Sequence, residues 1–407
     1  MMKSCGVVVE YNPLHNGHVY HLKKARELSG ADIIIAVMSG NFLQRGEPAI
    51  VDKWTRTQMA LAAGADIVIE LPVAFSAQPA DYFAKGAIEL LQAMKCDAIC
   101  FGSESGEGSD YQKLAQFLNQ HTAAIDQRFK ENKNQGQTYA SQMEQVLKEL
   151  LPNQPIALST PNNILGLAYA KENLLYEKPM ELYTLTRIGS DYHDEELIEQ
   201  SFSSATAIRK KLLETKQKTV PLEELRASMP TSSLELLTAN PLVSWENYWP
   251  YLKYQIEVQS LEELQSIYQV TEGIEYRLKE CIQEAKSFEQ FISLVKNKRV
   301  SWTRLQRMCV YILLQLKKED MVKELQKTKA VHLLGFSLLG RKYLQEIKKE
   351  LTIPLIANVT KKNKKLWTLD IKAGKIYQMG QLGLIKEQDY YRQPLNFYFE
   401  NTYENKA

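Results

Sequence analysis

Near its start the chain reads Lys3-Ser4-Cys5-Gly6-Val7-Val8-Val9-Glu10-Tyr11-Asn12-Pro13-Leu14-His15-Asn16-Gly17-His18. The run Val7–Val9 is continuously apolar, as expected for a strand that is buried on both faces of a parallel sheet. Asn12-Pro13 interrupts it, and residues 19–28 resume with helical periodicity and good helix formers. We therefore predict a strand, a turn and a helix whose first residues carry His-x-Gly-His.

This motif has the chemistry of a phosphate site. Gly17 would let a phosphate approach the backbone where a helix N-terminus already favours an anion. His15 and His18 can donate hydrogen bonds to phosphate oxygens as negative charge develops. A chance pair of surface histidines and a zinc site of His15, His18 and His21 are the alternatives, but the zinc site lacks a nearby cysteine or carboxylate. A nucleotide site outside the carboxyl end of a strand is favoured.

Strands and helices alternate over the first two hundred residues. Further apolar strands are predicted at 31–38, 67–71, 98–101 and 180–188, with helices at about 53–63 and 80–94 between them. This alternation predicts an α/β fold with a doubly wound parallel sheet.

The rest of the chain suggests two further regions. We predict a catalytic domain over residues 1–210 with a polar helical insertion, resembling a cap, at about 107–155. Leucines at helical spacing predict a helical region over 211–330. Residues 331–407 predict a small basic α/β unit.

Composition excludes several classes of protein. The 407 residues are 44% hydrophobic and 24% charged, which is ordinary for a soluble globular protein. Long apolar runs and a signal-peptide layout are both missing, so we expect neither a membrane protein nor a secreted one. Five scattered cysteines without a C-x-x-C pair indicate reduced thiols and a cytoplasmic location. Residues 1–110 carry a net charge of −4 and residues 331–407 one of +6, which favours a C-terminal region that meets a polyanion, although solubility alone also explains the asymmetry.

Other candidate nucleotide contacts lie at predicted strand ends and helix starts. Gly102 would let adenine or ribose pack on the backbone, although a routine turn also explains it. Asn162 and Asn163 can cap a helix or bind a base or ribose, and Arg187 can fork onto phosphate. A further group combines hydroxyls with a guanidinium at a helix N-terminus, where a plain N-cap is the alternative; its candidate phosphate contacts are Ser204, Thr206 and Arg209.

Longer motifs resemble a known family. His-x-Gly-His, together with Ser204–Arg209 near the end of the domain, is similar to the nucleotidyltransferase superfamily pattern Ile-Ser-Ser-Thr-x-Ile-Arg, departing from it at Ser203 and Ala205. Residues 10–18, 38–49 and 160–166 resemble the bacterial tRNA(Met) cytidine acetate ligase family, and this resemblance covers nearly the entire chain.

The resemblance implies a two-step reaction. ATP would activate acetate as acetyl-adenylate with release of pyrophosphate, and the acetyl group would pass to N4 of the wobble cytidine of elongator tRNA(Met). It implies ATP with Mg²⁺, no tightly bound metal, no protein partner and no membrane. His15 and His18 would be catalytic, and the implied ATP contacts are Val7, Val8, Val9, Glu10, Tyr11, Asn12, Pro13, Leu14, His15, Asn16, Gly17, His18, Val19, Tyr20, Gly102, Asn162, Asn163, Arg187 and Ile188.

Three segments are candidates for the remaining contacts. Residues 39–47 are expected to line the acetate pocket, contact the anticodon or form a structural loop, with Arg45, Lys53 and Arg56 nearby. Two basic regions surround an aromatic residue each, Trp302 and Trp367, and are candidates for RNA, although lysine-rich turns are often simply solvated. Their candidate tRNA contacts are Lys298, Arg299, Arg304, Lys361, Lys362, Lys364 and Lys365.

Two other functions stay open from the sequence. A nucleotidyltransferase that adenylylates a small phosphorylated cofactor precursor would keep AMP in its product, whereas the ligase releases AMP. An RNA-binding protein with a vestigial nucleotide site is the third reading, which the intact His15 and His18 disfavour.

Overall fold

The structure is a computed structural model that describes residues 2–131, 139–151, 155–158, 160–186, 205–214, 222–297, 300–327, 330–381 and 386–397. The strands are β1 Ser4–Val9, β2 Ile33–Ser39, β3 Ile67–Leu71, β4 Ala98–Ser103, β5 Glu181–Thr186, β6 Val331–Ser337, β7 Leu355–Ile356 and β8 Leu395–Phe397.

Helices separate these strands and fill the segment between β5 and β6. They are α1 Asn16–Ser29, α2 Lys53–Ala62, α3 Val73–Ser76, α4 Ala80–Ala93, α5 Gly108–Gln120, α6 Thr122–Glu131, α7 Tyr139–Leu150, α8 Pro161–Asn173, α9 Ala205–Glu214, α10 Leu222–Arg226, α11 Thr231–Thr238, α12 Trp245–Val258, α13 Leu261–Ser266, α14 Ile274–Glu284, α15 Phe288–Val295, α16 Trp302–Leu313, α17 Lys318–Gln326, α18 Leu338–Ile347 and α19 Thr368–Gln378. Within the described residues, no helix is both long enough and apolar enough to cross a bilayer.

One sheet gathers all of these strands, in the order β5-β4-β1-β2-β3-β6-β7, with β8 paired to β6. The pairs from β5 to β3 are parallel, which confirms the predicted α/β architecture. From β1 the chain steps to β2 and β3 on one side and to β4 and β5 on the other. The carboxyl end of β1 therefore lies at a topological switch point, where α/β sheets bind ligands.

Both faces of the central strands are covered. Ile33, Ile35 and Val37 belong to one buried cluster, and Ile34 and Met38 belong to the other. Because successive side chains of a strand point to opposite faces, this division explains why residues 33–38 of β2 form an unbroken apolar run.

The C-terminal strands do not stand apart from this sheet. β6 pairs antiparallel with β3, with Glu70 opposite His332, while β6, α18 and β7 form the expected βαβ arrangement. When one crossover helix joins two neighbouring strands, the two strands run parallel. β6 instead follows β5 after a long helical segment, so its direction beside β3 is not fixed in this way. The parallel sheet thus has one antiparallel junction that the sequence pattern does not predict.

The segment after β4 also differs from the polar cap expected there. Tyr111 and Ala115 of α5 are fully buried, and a side chain at Gly108 would collide with the carbonyl oxygen of Leu182 in β5. The narrow apolar face of Tyr111, Leu114 and Ala115 packs α5 into the core, although most of its residues are polar.

Candidate active site

The turn between β1 and α1 holds the two motif histidines side by side. The Nδ1 atom of His15 accepts a hydrogen bond from the Gly17 amide at 3.1 Å, and Nδ1 of His18 accepts one from the His15 amide at 3.2 Å. The rings stack with centroids 3.8 Å apart. A neutral imidazole that accepts at Nδ1 carries its hydrogen on Nε2. We infer from this tautomer that the two rings present Nε2–H donors at the N-terminus of α1.

The backbone that leads into the turn is strained. Tyr11 has a φ of 50°, in the left-handed region that bulky residues avoid. Its side chain is buried and lies edge-on to His18, with ring centroids 5.1 Å apart. Such strain is concentrated at functional sites, where the surrounding structure enforces it.

Arg209 of α9, which the sequence predicts to contact phosphate, lies against the same turn. Its guanidinium donates to the carbonyl oxygen of Asn12 at 2.9 Å and to the carboxylate of Glu47 at 3.1 Å. Thr206 lies one helical turn earlier and is exposed. Ser204 lies outside the described residues.

The carboxyl end of β4 lies beside the turn. β1 pairs with β4 from Cys5 opposite Ala98, and continuing this register places Gly102 level with Val9. Gly102 is half-buried at the end of β4. Arg187 and Ile188, predicted next to it after β5, lie outside the described residues.

The two asparagines at the start of α8 behave differently. Asn163 is fully buried, and its amide oxygen accepts from Tyr111 Oη at 2.7 Å and from the Glu104 amide at 2.9 Å. Its amide nitrogen donates to Ser105 Oγ at 2.9 Å. Asn162 is half-buried and donates to the carboxylate of Glu104 at 2.5 Å. Asn163 therefore fastens α8 to the end of β4, and Asn162 is the better placed of the two to meet a ligand.

Arg56 of α2 stabilises the backbone next to the histidine turn. Its buried guanidinium donates to the carbonyl oxygens of Glu10 at 2.7 Å, Ser39 at 3.0 Å and Val51 at 3.2 Å, and it also contacts that of Gly40. The carbonyls of Glu10, Ser39 and Gly40 lie at the ends of β1 and β2, so a single side chain ties the two strand ends together. The sequence places Arg56 near a ligand loop, but its donors are used within the protein.

Lys53 is likewise buried, within an ion cluster of Lys53, Glu70, His332 and Asp389. Its ammonium lies 2.8 Å from the carboxylate of Glu70 and 2.7 Å from that of Asp389, and His332 Nδ1 lies 2.7 Å from Glu70. Burial alone would raise the pKa of Glu70, but the Lys53 ammonium and His332 outweigh it and lower that pKa to about 2. Burial raises the pKa of Asp389.

Three side chains of the same cluster are of types that can bind a metal ion. Glu70, His332 and Asp389 are the one group of three such side chains within reach of a common ion in the described part of the chain. The Lys53 ammonium already supplies the positive charge between two of them. His21, considered as a zinc ligand with His15 and His18, lies instead 3.2 Å from the carbonyl oxygen of Cys100.

The loop after β2 is joined to β1 through Glu10. The Glu10 carboxylate accepts the Gln44 amide at 2.7 Å and Ser39 Oγ at 3.4 Å. Burial raises the pKa of this carboxyl, partly offset by the Gln44 hydrogen bond. The carboxylate therefore fixes the loop of residues 39–47 against the strand that leads into the histidine turn.

Of the two basic regions predicted to bind RNA, one has exposed lysines as expected but a buried tryptophan. Lys361, Lys362, Lys364 and Lys365 are exposed, but Trp367 is 2% exposed and packs in a buried cluster, so it offers no stacking surface. Arg304 is half-buried and donates to Thr271 Oγ1 at 3.3 Å. Lys298 and Arg299 lie outside the described residues.

Comparison with known proteins agrees with this geometry. Residues 2–391 match the model of the HIGH Nucleotidyl Transferase family. The tRNA(Met) cytidine acetate ligase of Bacillus subtilis is 42% identical over 388 residues, covering 93% of this chain and 92% of that protein. The protein of the same name from Geobacillus sp. is 45% identical over 364 residues, covering 88% and 90%.

A solved structure extends the likeness to three dimensions. Thermotoga maritima TmcAL bound with alpha-thio ATP superposes with a TM-score of 0.86 at 32% identity, covering 98% of this chain and 100% of that one. Its apo form gives a TM-score of 0.85. On its fold, its His-x-Gly-His turn and these end-to-end matches, the chain belongs to the tRNA(Met) cytidine acetate ligase family of HIGH nucleotidyl transferases.

Proposed function

We propose that this chain activates acetate with ATP and transfers the acetyl group to N4 of the wobble cytidine of elongator tRNA(Met). The observation that carries the proposal is the stacked pair His15 and His18 at the N-terminus of α1, at the switch point of the sheet. The relatives that match the chain over about nine-tenths of its length carry the name of this activity.

In the first step a carboxylate oxygen of acetate attacks the α-phosphorus of ATP. The bond from that phosphorus to the bridging oxygen breaks, and pyrophosphate leaves. Catalysis is then mainly in-line positioning and stabilisation of charge. The Nε2–H groups of His15 and His18 and the N-terminus of α1 meet the negative charge that develops on the phosphates.

The nucleoside is proposed to lie across the carboxyl ends of β1 and β4. Residues 7–20 supply the turn, Gly102 leaves room for ribose or adenine, and Asn162 offers a polar contact. Asn163 positions this edge without contacting the ligand. Arg187 and Ile188, which follow β5 in the sequence, stay predicted contacts. Mg²⁺ would accompany the ATP phosphates rather than occupy a dedicated protein site.

In the second step the N4 amine attacks the carbonyl carbon of acetyl-adenylate. The bond between that carbon and the phosphate oxygen breaks, AMP leaves, and the amine loses a proton. A thiol carrier between the steps is disfavoured, since all five cysteines are buried. Burial raises the pKa of every one of these thiols, so the nucleophilic thiolate is suppressed.

We assign tRNA binding to the helical region 211–330 and to the exposed lysines at 361–365. Trp245 Nε1 donates to the carbonyl oxygen of Gly46 at 2.8 Å, which docks this helical region onto the loop of residues 39–47. A cytoplasmic location fits the five free thiols and the RNA substrate.

One incubation tests this function. The protein is mixed with ATP, ¹³C-labelled acetate and total tRNA, and the digested nucleosides are searched by mass spectrometry for labelled N4-acetylcytidine. Labelled acetylcytidine together with free AMP is the expected result. AMP retained in a small-molecule product would identify a cofactor adenylyltransferase, and acetylation from acetyl-coenzyme A without ATP would contradict the adenylate route. An absence of all chemistry with intact tRNA binding would leave an RNA-binding protein.

A further inference from the structure

A second pocket lies between α2 and the segment of residues 386–395. Its volume is about 500 Å³, and Trp54, Thr55, Lys386, Tyr391 and Arg392 are among the residues that line it. None of its lining residues belongs to the turn of His15 and His18. The pocket is therefore separate from the proposed ATP site.

The charges around this pocket favour an anion. The carboxylate of Asp52 caps α2 by accepting the Thr55 amide at 2.8 Å. That of Glu387 accepts three consecutive backbone amides, those of residues 388–390, at 3.2 Å each. Both acidic side chains of the lining are thus stabilised within the protein.

Among the residues that the structure describes, the hydrogen bonds of the two cations of the lining go to neutral groups. Lys386 Nζ donates to the side-chain oxygen of Asn240 at 2.7 Å, and Arg392 Nε donates to the carbonyl oxygen of Glu387 at 2.6 Å. Among the described residues, neither Lys386 nor Arg392 forms an ion pair with a carboxylate. Their positive charge is therefore available to a bound phosphate.

Tyr391 stands at the mouth of the pocket in an unusual conformation. Its side chain is 99% exposed, and its φ is 59°, in the left-handed region. An aromatic ring held fully in solvent on a strained backbone gains nothing from burial, which points to a role in binding. Next to it, the Arg392 guanidinium lies 5.4 Å from the centroid of Trp54 and is held in place by that ring.

We propose that this pocket receives one unstacked nucleotide of the RNA substrate. Its base stacks on Tyr391, and its phosphate lies between Lys386 and Arg392. Cations beside an exposed aromatic ring are how proteins hold single-stranded RNA. RNA fits better than a free mononucleotide, because only a polymer brings neighbouring nucleotides to cover a ring that the protein leaves fully exposed. The inference rests on the proposed function to the extent that RNA is the substrate.

The pocket and the active site share one support. Asp52 in the lining lies two residues after Ile50, whose amide donates to the side-chain oxygen of Asn12 at 2.7 Å. Asn12 is part of the turn that carries His15 and His18. Occupancy of the pocket can thus place the RNA relative to the reacting centre without contacting it.

Tyr391→Ala tests the proposal, with Tyr391→Phe as the variant that keeps the ring and Tyr82→Ala as a control. Tyr82 is 40% exposed on α4, outside the pocket and outside the helical region assigned to tRNA binding. Loss of one base stack should weaken tRNA binding about 5- to 150-fold in Tyr391→Ala. Tyr391→Phe and Tyr82→Ala should bind like the unsubstituted protein. Equal tRNA affinity in Tyr391→Ala would overturn the proposal.

Two further arms separate the outcomes. Lys386→Ala should lower the salt slope of tRNA binding by about 0.7, and an unchanged slope would count against a phosphate at this position. Free CMP, followed by the part of the tryptophan fluorescence that Trp54→Phe removes, should bind far more weakly than a single-stranded RNA, and equal affinity would show a mononucleotide site. Acetate-dependent exchange of pyrophosphate into ATP, measured without tRNA, should be unchanged in Tyr391→Ala. Absence of that exchange in the unsubstituted protein would reject the proposed function, while the tRNA-binding arms still decide the pocket.

Discussion

The histidine turn and the ion cluster are built in opposite ways. In the turn, the hydrogen bonds of His15 and His18 join residues two and three positions apart. In the ion cluster, Lys53 meets Asp389 across 336 positions of sequence. In the proposed function the turn presents donors to ATP, whereas the cluster uses its charges internally. We call His15 and His18 the chemical layer, and the ion cluster with Arg56 the support layer. Substitutions in the chemical layer should change the rate of adenylation, and substitutions in the support layer should change the stability of the fold.

The largest expected effect is on the support layer. Lys53→Met leaves the buried carboxylates of Glu70 and Asp389 without their cation, which typically costs about 3–5 kcal/mol of unfolding free energy. Chemical denaturation followed by circular dichroism measures it. Lys23→Met is the control, because Lys23 is exposed on α1 and makes only a long i, i+4 ion pair. An unfolding midpoint in Lys53→Met equal to that of the control would show that the cluster does not stabilise the fold.

Arg56→Lys should have a smaller effect that reaches both layers. An ammonium cannot span all the carbonyl oxygens that the guanidinium bridges, so at least one is left unsatisfied, at about 1–3 kcal/mol. Because the carbonyls of Glu10, Ser39 and Gly40 lie at the ends of β1 and β2, the maximal rate of adenylate formation should also fall, while tRNA affinity stays the same. Arg45→Lys, an exposed position on the neighbouring loop, is the matched control. Full activity and full stability in Arg56→Lys would remove Arg56 from the account.

These two layers also explain what the sequence predicts. The strands at 67–71 and 31–38 and the histidine motif depend on neighbouring residues, and their outlines follow from apolar runs and turn residues. The antiparallel pairing of β6 and the burial of Lys53 and Arg56 depend on partners far along the chain. From the sequence alone, a charged side chain at the start of a helix, such as Lys53, is predicted to contact a ligand, because its distant ion-pair partner is not visible there. A tryptophan among lysines, such as Trp367, is likewise predicted to be exposed.

The pH dependence of stability distinguishes the cluster from the turn. The pKa of Glu70 is lowered from its ordinary value of 4.5 to about 2. Its contribution to stability is therefore complete above pH 4.5 and is lost as the pH falls toward 2. The difference in unfolding free energy between the unsubstituted protein and Glu70→Gln should shrink over this interval. The raised pKa values of Asp370 and Asp389 act in the opposite direction, and because the Glu70 charge is one cause of both, the difference reports Glu70 together with its coupling to these two carboxyls. A pH-independent difference would contradict the lowered pKa.

The smallest expected effect concerns the exposed lysines. Replacing Lys361, Lys362, Lys364 and Lys365 by alanine should lower the salt slope of tRNA binding by about 0.7 for each lysine that meets a phosphate. Acetyl-adenylate formation should not change. Alanine at Arg341, Lys342, Lys348 and Lys349, four exposed cations on and after α18, controls for overall charge. An unchanged salt slope in the quadruple variant would show that this turn does not contact the RNA backbone.

Adenylation by the histidine turn is measured in the variant His18→Ala. Acetate-dependent exchange of labelled pyrophosphate into ATP should fall about 100- to 1,000-fold, the usual effect of removing one preorganised donor. Loss of the capping contact should cost no more than about 1 kcal/mol of stability, and tRNA affinity should match that of His121→Ala, at an exposed histidine after α5. Exchange at the unsubstituted rate in His18→Ala would contradict the account.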